Sequence, residues 1–143
     1  MTNTDRCIKA LGEVAIRVQD LDAMCQFYAE VLGLEILRRT DTFVFFRIAD
    51  GYDGHPQVLN LFVAANRDFN ESRSLEINPA TSTLHHVAFN VALDDLEPER
   101  QRLEALGVKV EATTHPWLHV RSLYFPDPEG NLLEFVSRDD SVS

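Results

Sequence analysis

Four polar side chains interrupt otherwise apolar, β-patterned stretches: Glu13 and Asn60 in the first half of the chain, His86 and Glu134 in the second. Two carboxylates, one imidazole and one amide oxygen brought to one place would make a hard-to-intermediate donor set. Such a set suits six-coordinate Mn, Mg, Fe, Co or Ni with water positions left open, whereas closed structural zinc draws on sulfur and nitrogen. Each residue also has a purely structural reading. Glu13 can pair with Arg17, two residues along on the same strand face, and Asn60 can satisfy local backbone groups. His86 can be a hydrogen-bonded core histidine, with the adjacent His85 facing the other way. Glu134 resists such a reading most, because a carboxylate set among Leu132, Leu133, Phe135 and Val136 is costly to bury without a partner.

The elements that must position these residues are legible in the periodicity. Val14, Ile16 and Val18 share one face of a strand at 13 to 18, with Glu13, Ala15 and Arg17 on the other. Asp20 is an N-cap for a helix whose apolar positions run from Leu21 to Leu32 at helical spacing, and Gly33 stands where a left-handed cap is wanted. Strands follow at 34 to 39, 43 to 48 and 57 to 64, the last two joined by the turn-rich "ADGYDGHP". The first module, residues 10 to 65, therefore reads β-α-β-β-β.

After a polar linker at 66 to 83, either a flap or the crossover between halves, the pattern restarts. In "HHVAFNV", Val87, Phe89 and Val91 oppose His86, Ala88 and Asn90. A helix from about Asp95 to Leu106, with Pro98 in its first turn, ends at Gly107. Strands at 108 to 112, about 119 to 125 and 131 to 137 complete a second β-α-β-β-β over residues 84 to 138, the last pair joined by "DPEG". An offset of 73 to 75 residues carries Glu13 onto His86, Gly33 onto Gly107 and Asn60 onto Glu134. The expected architecture is one α+β domain over residues 1 to 143. It holds two pseudo-symmetric βαβββ modules forming a curved mixed sheet around a cleft, with the helices outside. Phe27, Tyr28, Leu103 and Leu106 are expected in the core.

Composition narrows the partners. A formal charge of −10 argues against nucleic acid, which is met by a basic footprint. Arg17, Asn90 and Arg121 remain candidates for a carboxylate or phosphate, since a locally positive cleft in an acidic protein selects small anions. Trp117 and Tyr124, within "TTHPWLHVRSLYF", are further candidates for packing a substrate, although a one-residue change of register would exchange the faces of that stretch. The two cysteines, Cys7 and Cys25, lack metal or redox spacing, and no apolar run approaches a membrane span, so a cytoplasmic protein without a membrane partner is expected.

The motifs "VAIRVQDL" with "FYAEVLGLE", and "HHVAFNV" with "YFPDPEGNLLEF", resemble the vicinal oxygen chelate superfamily: glyoxalase I, methylmalonyl-CoA epimerase, extradiol dioxygenases, fosfomycin-resistance enzymes and metal-free bleomycin-resistance proteins. The resemblance covers residues 10 to 138. It implies a homodimer and a divalent ion (Mn, Mg, Fe, Co, Ni or Zn) held by Glu13, Asn60, His86 and Glu134. His86 and Glu134 are of the expected types; Glu13 stands where His or Gln is common, and Asn60 where Glu, Gln or His is. The implied activity is that of a metal-dependent lyase or isomerase acting on a small oxygenated metabolite, with Glu134 or Glu13 as the base. A metal-free binding or resistance module is the second expectation. An extradiol-type dioxygenase is the third, its two-His, one-carboxylate pattern left incomplete by a single aligned His.

Overall fold

The computed structural model describes residues 7 to 64 and 84 to 142; the linker expected at 66 to 83 lies outside the described residues. The chain divides into two compact units, Met1–Ser74 and Leu75–Ser143, which correspond to the two expected modules. Each holds a four-stranded mixed sheet, so the class is α+β.

In the first unit β1 (Glu13–Val18) pairs in parallel with β4 (His55–Val63), which pairs antiparallel with β3 (Phe43–Tyr52), and that in turn with β2 (Glu35–Arg39). Alternation makes one face apolar. Ile16, Val18, Val44, Phe46, Leu59 and Leu61 are buried, with α1 (Leu21–Gln26) against β3 and β4. Met24, Cys25 and Tyr28 are fully buried on the helical side, and the rings of Tyr28 and Phe46 meet at 6.0 Å. Burying side chains of this size contributes about 1.5–3 kcal/mol each.

Asp20 caps α1, its carboxylate accepting from the Ala23 amide, but the expected single helix changes pitch: Phe27–Val31 winds as a π-helix before Gly33 turns the chain at φ 76°. The segment read as turn-rich is mostly strand. β3 and β4 run on to a two-residue turn at Asp53 and Gly54, both at positive φ, the conformation a tight hairpin needs.

The second unit repeats the order: β5 (Val87–Asn90) parallel to β8 (Leu132–Arg138), then β7 (Val120–Pro126) and β6 (Glu111–His115) antiparallel. A 3₁₀ turn at Leu93–Asp95 leads into α2 (Leu96–Ala105), which packs on β7. Phe89, Leu96, Leu103, Leu123, Phe125, Leu133 and Phe135 make the core. Leu106, expected there, is 57% exposed because it is the C-cap of α2 and points beyond the packed turn. The strand expected at 108 to 112 begins at Glu111, since the Gly107 and Val108 amides are taken by helix carbonyls of Glu104 and Leu103.

Candidate functional site

The polar residues lie on the sheet faces opposite the helices. In the first unit Asn60, 1% exposed, sits mid-strand on β4, beside Ala15 of β1 and Phe45 of β3. Its Nδ2 donates to Glu13 Oε2 at 2.9 Å, while its Oδ1 is buried and has no hydrogen-bond partner among the described residues. That oxygen carries an unrepaid desolvation cost of about 1–3 kcal/mol. Reversing the amide would place oxygen against the Glu13 carboxylate, so the orphan is removed only by a donor or a cation. Arg17 shares this face and is exposed, but among the described residues no ion pair joins it to Glu13. Glu13 is bonded across strands instead.

In the second unit Glu134, 6% exposed at mid-β8, is held at both oxygens: Oε1 accepts from Ser122 Oγ at 2.6 Å and Oε2 lies 2.9 Å from His86 Nε2. A carboxylate beside Ser122 only accepts, which places the His86 proton on Nε2. His86 Nδ1 then accepts from His85 Nδ1 at 2.8 Å. His85 does not face away as expected. β5 starts only at Val87, so strand alternation does not govern residues 85 and 86.

Strand register places Tyr124 directly across from Glu134. Its hydroxyl meets His115 Nε2 at 2.9 Å, and its ring stands 6.0 Å from that of His86. Burial chiefly, then the Glu134 charge, raises the phenol above its ordinary pKa, with Ser122 opposing. The phenol therefore stays protonated well above neutrality. Asn90 shares this face, exposed at the end of β5, where it pairs in register with Val136.

Two candidates stand elsewhere. Arg121 precedes Ser122 and so lies on the opposite face of β7, where its Nε donates to Asp139 Oδ2 at 2.6 Å. The Ser141 hydroxyl and that guanidinium hold the Asp139 carboxyl down to about 2. Arg121 thus ties down the chain beyond β8. Trp117 is 79% exposed on a 3₁₀ turn (Pro116–Leu118).

The sequence pointed to His115 within "TTHPWLHVRSLYF" but did not single out Ser122. The "DPEG" turn held the signal: counting back from it pairs Pro126 with Leu132, hence Tyr124 with Glu134, and places Ser122 and Tyr124 on one face.

The structure thus joins Glu13 to Asn60, and His86 to Glu134 and Tyr124. Among the described residues no three His, Cys, Asp or Glu side chains gather as a metal-binding group. Taken unit by unit, the donor pairs nonetheless suit a divalent ion. Ligands bound at right angles at about 2.0–2.2 Å stand about 3 Å apart, which is the His86–Glu134 separation, and Asn60 offers an unpartnered oxygen.

A family model described as "Glyoxalase/Bleomycin resistance protein/Dioxygenase superfamily" matches residues 10–135. The glutathione transferase FosA of Serratia marcescens is 32% identical over 89% of this chain and 79% of its own. The metallothiol transferase FosB of Staphylococcus haemolyticus is 26% identical over 89% and 82%. Among solved structures, a lactoylglutathione lyase of Agrobacterium tumefaciens superposes with a TM-score of 0.66 at 27% identity, over 92% of this chain and 96% of that one.

Proposed function

Because the chain belongs to the Glyoxalase/Bleomycin resistance protein/Dioxygenase superfamily, we propose that it is a divalent-metal-dependent lyase or isomerase acting on a small oxygenated, anionic metabolite, and that it works as a cytoplasmic homodimer. The observation that carries this reading is the buried Glu134, with His86 Nε2 at 2.9 Å from one oxygen and Ser122 on the other. His86 and Glu134 are the first ligands, with Glu13 and Asn60 as further donors; Mn, Mg, Fe, Co, Ni and Zn all suit such a set. When bound, the ion would polarise two adjacent substrate oxygens and stabilise the negative charge developing on them.

The chain's own groups then divide the work. Ser122 and His85 fix the carboxylate and the imidazole from behind, which limits the freedom of Glu134 to leave its place. Proton abstraction falls to Glu13, exposed and, among the described residues, tethered only through the Asn60 amide. Tyr124, held protonated, is the donor for a developing oxyanion. Arg17 and Asn90 meet the anionic end, and Trp117 is free to pack over a ligand. Binding requires ionised carboxylates and neutral imidazole, so metal affinity falls on acidification.

Metal analysis of protein purified without chelator tests the first half: stoichiometric ion in wild type and none in Glu134→Ala is expected, and equal metal content in both would sink the assignment. Metal-dependent exchange of a substrate's α-proton in heavy water, lost in Glu13→Gln and without oxygen uptake, tests the second. Candidate substrates are 2-oxoaldehyde hemithioacetals, 2-methyl acyl-thioesters and hydroxy-keto acids. The relatives named as glutathione and metallothiol transferases favour one further reading, thiol transfer to an electrophilic substrate at the same residues. It would appear as metal-dependent consumption of a thiol without α-proton exchange. Oxygen uptake with catechols would point to a dioxygenase, and tight ligand binding without metal to a resistance module.

A further inference from the structure

The face of the first sheet that carries Asn60 is floored by three phenylalanines. Register sets Arg17, Phe62 and Phe43 in one row across β1, β4 and β3, and Ala15, Asn60, Phe45 and Arg38 in the next, reaching β2. The rings lie 5.0 Å (Phe43–Phe45), 5.9 Å (Phe45–Phe62) and 6.0 Å (Phe43–Phe62) apart, tilted or edge-on, and each is only half-buried. The Arg38 guanidinium stands 5.8 Å over the Phe43 ring.

Charge is distributed around this floor in an uneven way. Of the described arginines, Arg39, Arg47, Arg100, Arg102, Arg121 and Arg138 each have a carboxylate partner. Arg17 and Arg38 have none among the described residues, although the chain carries a net charge of −10. Both edge the phenylalanine floor. In so acidic a protein, two guanidinium groups without a carboxylate partner among the described residues, beside half-buried rings, are complementary to a flat anion.

We propose that this face binds a small aromatic carboxylate, its ring against Phe43 and Phe45 and its carboxylate on Arg17, with Arg38 closing the opposite edge as a second cation. The inference rests on the reading above only in taking this face as the substrate side of the site, and it names the substrate class. Ala15, the smallest side chain in its row, leaves room beside Asn60 for the ligand.

The test uses 1-naphthoate titrated calorimetrically into the full chain, once after chelator treatment and once with Mn restored. Three comparison probes separate the terms: cyclohexanecarboxylate keeps the charge without the ring, naphthalene-1-methanol keeps the ring without the charge, and 1-naphthylmethylamine reverses the charge. Naphthoate should bind at least several-fold more tightly than each of them, and more weakly as salt rises. Arg17→Gln should cost about tenfold, an ion-paired hydrogen bond, and Arg38→Gln a smaller factor. Both residues are exposed, so folding is retained and is checked by circular dichroism. Equal affinity for all four probes, no naphthoate binding in either preparation, or unchanged binding in the Arg17→Gln/Arg38→Gln double variant would overturn the proposal. Naphthoate binding that survives in Glu134→Ala while metal is lost supports the proposal and tests the metal assignment separately.

Discussion

At the scale of single residues, Asn60 and Glu134 are opposite solutions to the same problem. Glu134 has every oxygen engaged, so its burial is compensated; Asn60 keeps one oxygen engaged with nothing. A buried polar atom left unpaired lowers stability, and such sites persist where the atom has a ligand to meet. Asn60→Leu, close in volume, is therefore expected to leave stability unchanged or raise it by about 1 kcal/mol in urea denaturation, while weakening metal uptake. A loss of several kcal/mol would mean that the amide oxygen is already satisfied. Glu134→Ala strips partners from both Ser122 and His86, so it is expected to cost about 2–4 kcal/mol besides the metal.

At the scale of elements, each helix is closed by a glycine at positive φ, Gly33 at 76° and Gly107 at 83°. A Cβ at either would meet open space, so alanine there pays only for the left-handed backbone. Gly33→Ala and Gly107→Ala should each destabilise by about 1 kcal/mol, and the double variant by the sum, since the two caps share no partners. A cost well below this, measured in urea, would show that the caps relax to negative φ. The strands obey the same logic of local demand. Asp53 and Gly54 make the β3–β4 hairpin tight and let both strands run longer than their turn-rich sequence implied.

At the scale of the whole molecule, each sheet leaves two edge strands, β1 and β2 in one and β5 and β6 in the other. Ile36 and Leu37 stand exposed on β2, and Trp117 and Leu118 beside β6. Edges and apolar side chains of this kind are covered by association in many sheet proteins. Light scattering at micromolar concentration is expected to return twice the chain mass; a single chain mass would remove the dimer. No described helix is long and apolar enough to cross a membrane.

The sequence by itself determined the element order, the repeat and the polar positions, because these are local: alternation fixes which residues share a strand face, and capping glycines fix where helices stop. Glu13 with His86 and Asn60 with Glu134 were legible as repeat partners, and Tyr124 as a neighbour whose face the pattern left open. The tertiary structure decided what depends on register and on partners distant in sequence. It put Tyr124 across from Glu134 and turned Arg121 to the opposite face toward Asp139, a difference of one residue in a period of two. It also brought Ser122 to Glu134, bonded Glu13 to Asn60 rather than to Arg17, and left the Asn60 oxygen without a partner. No periodicity encodes those pairings, since hydrogen bonds between strands are chosen only when the strands have met.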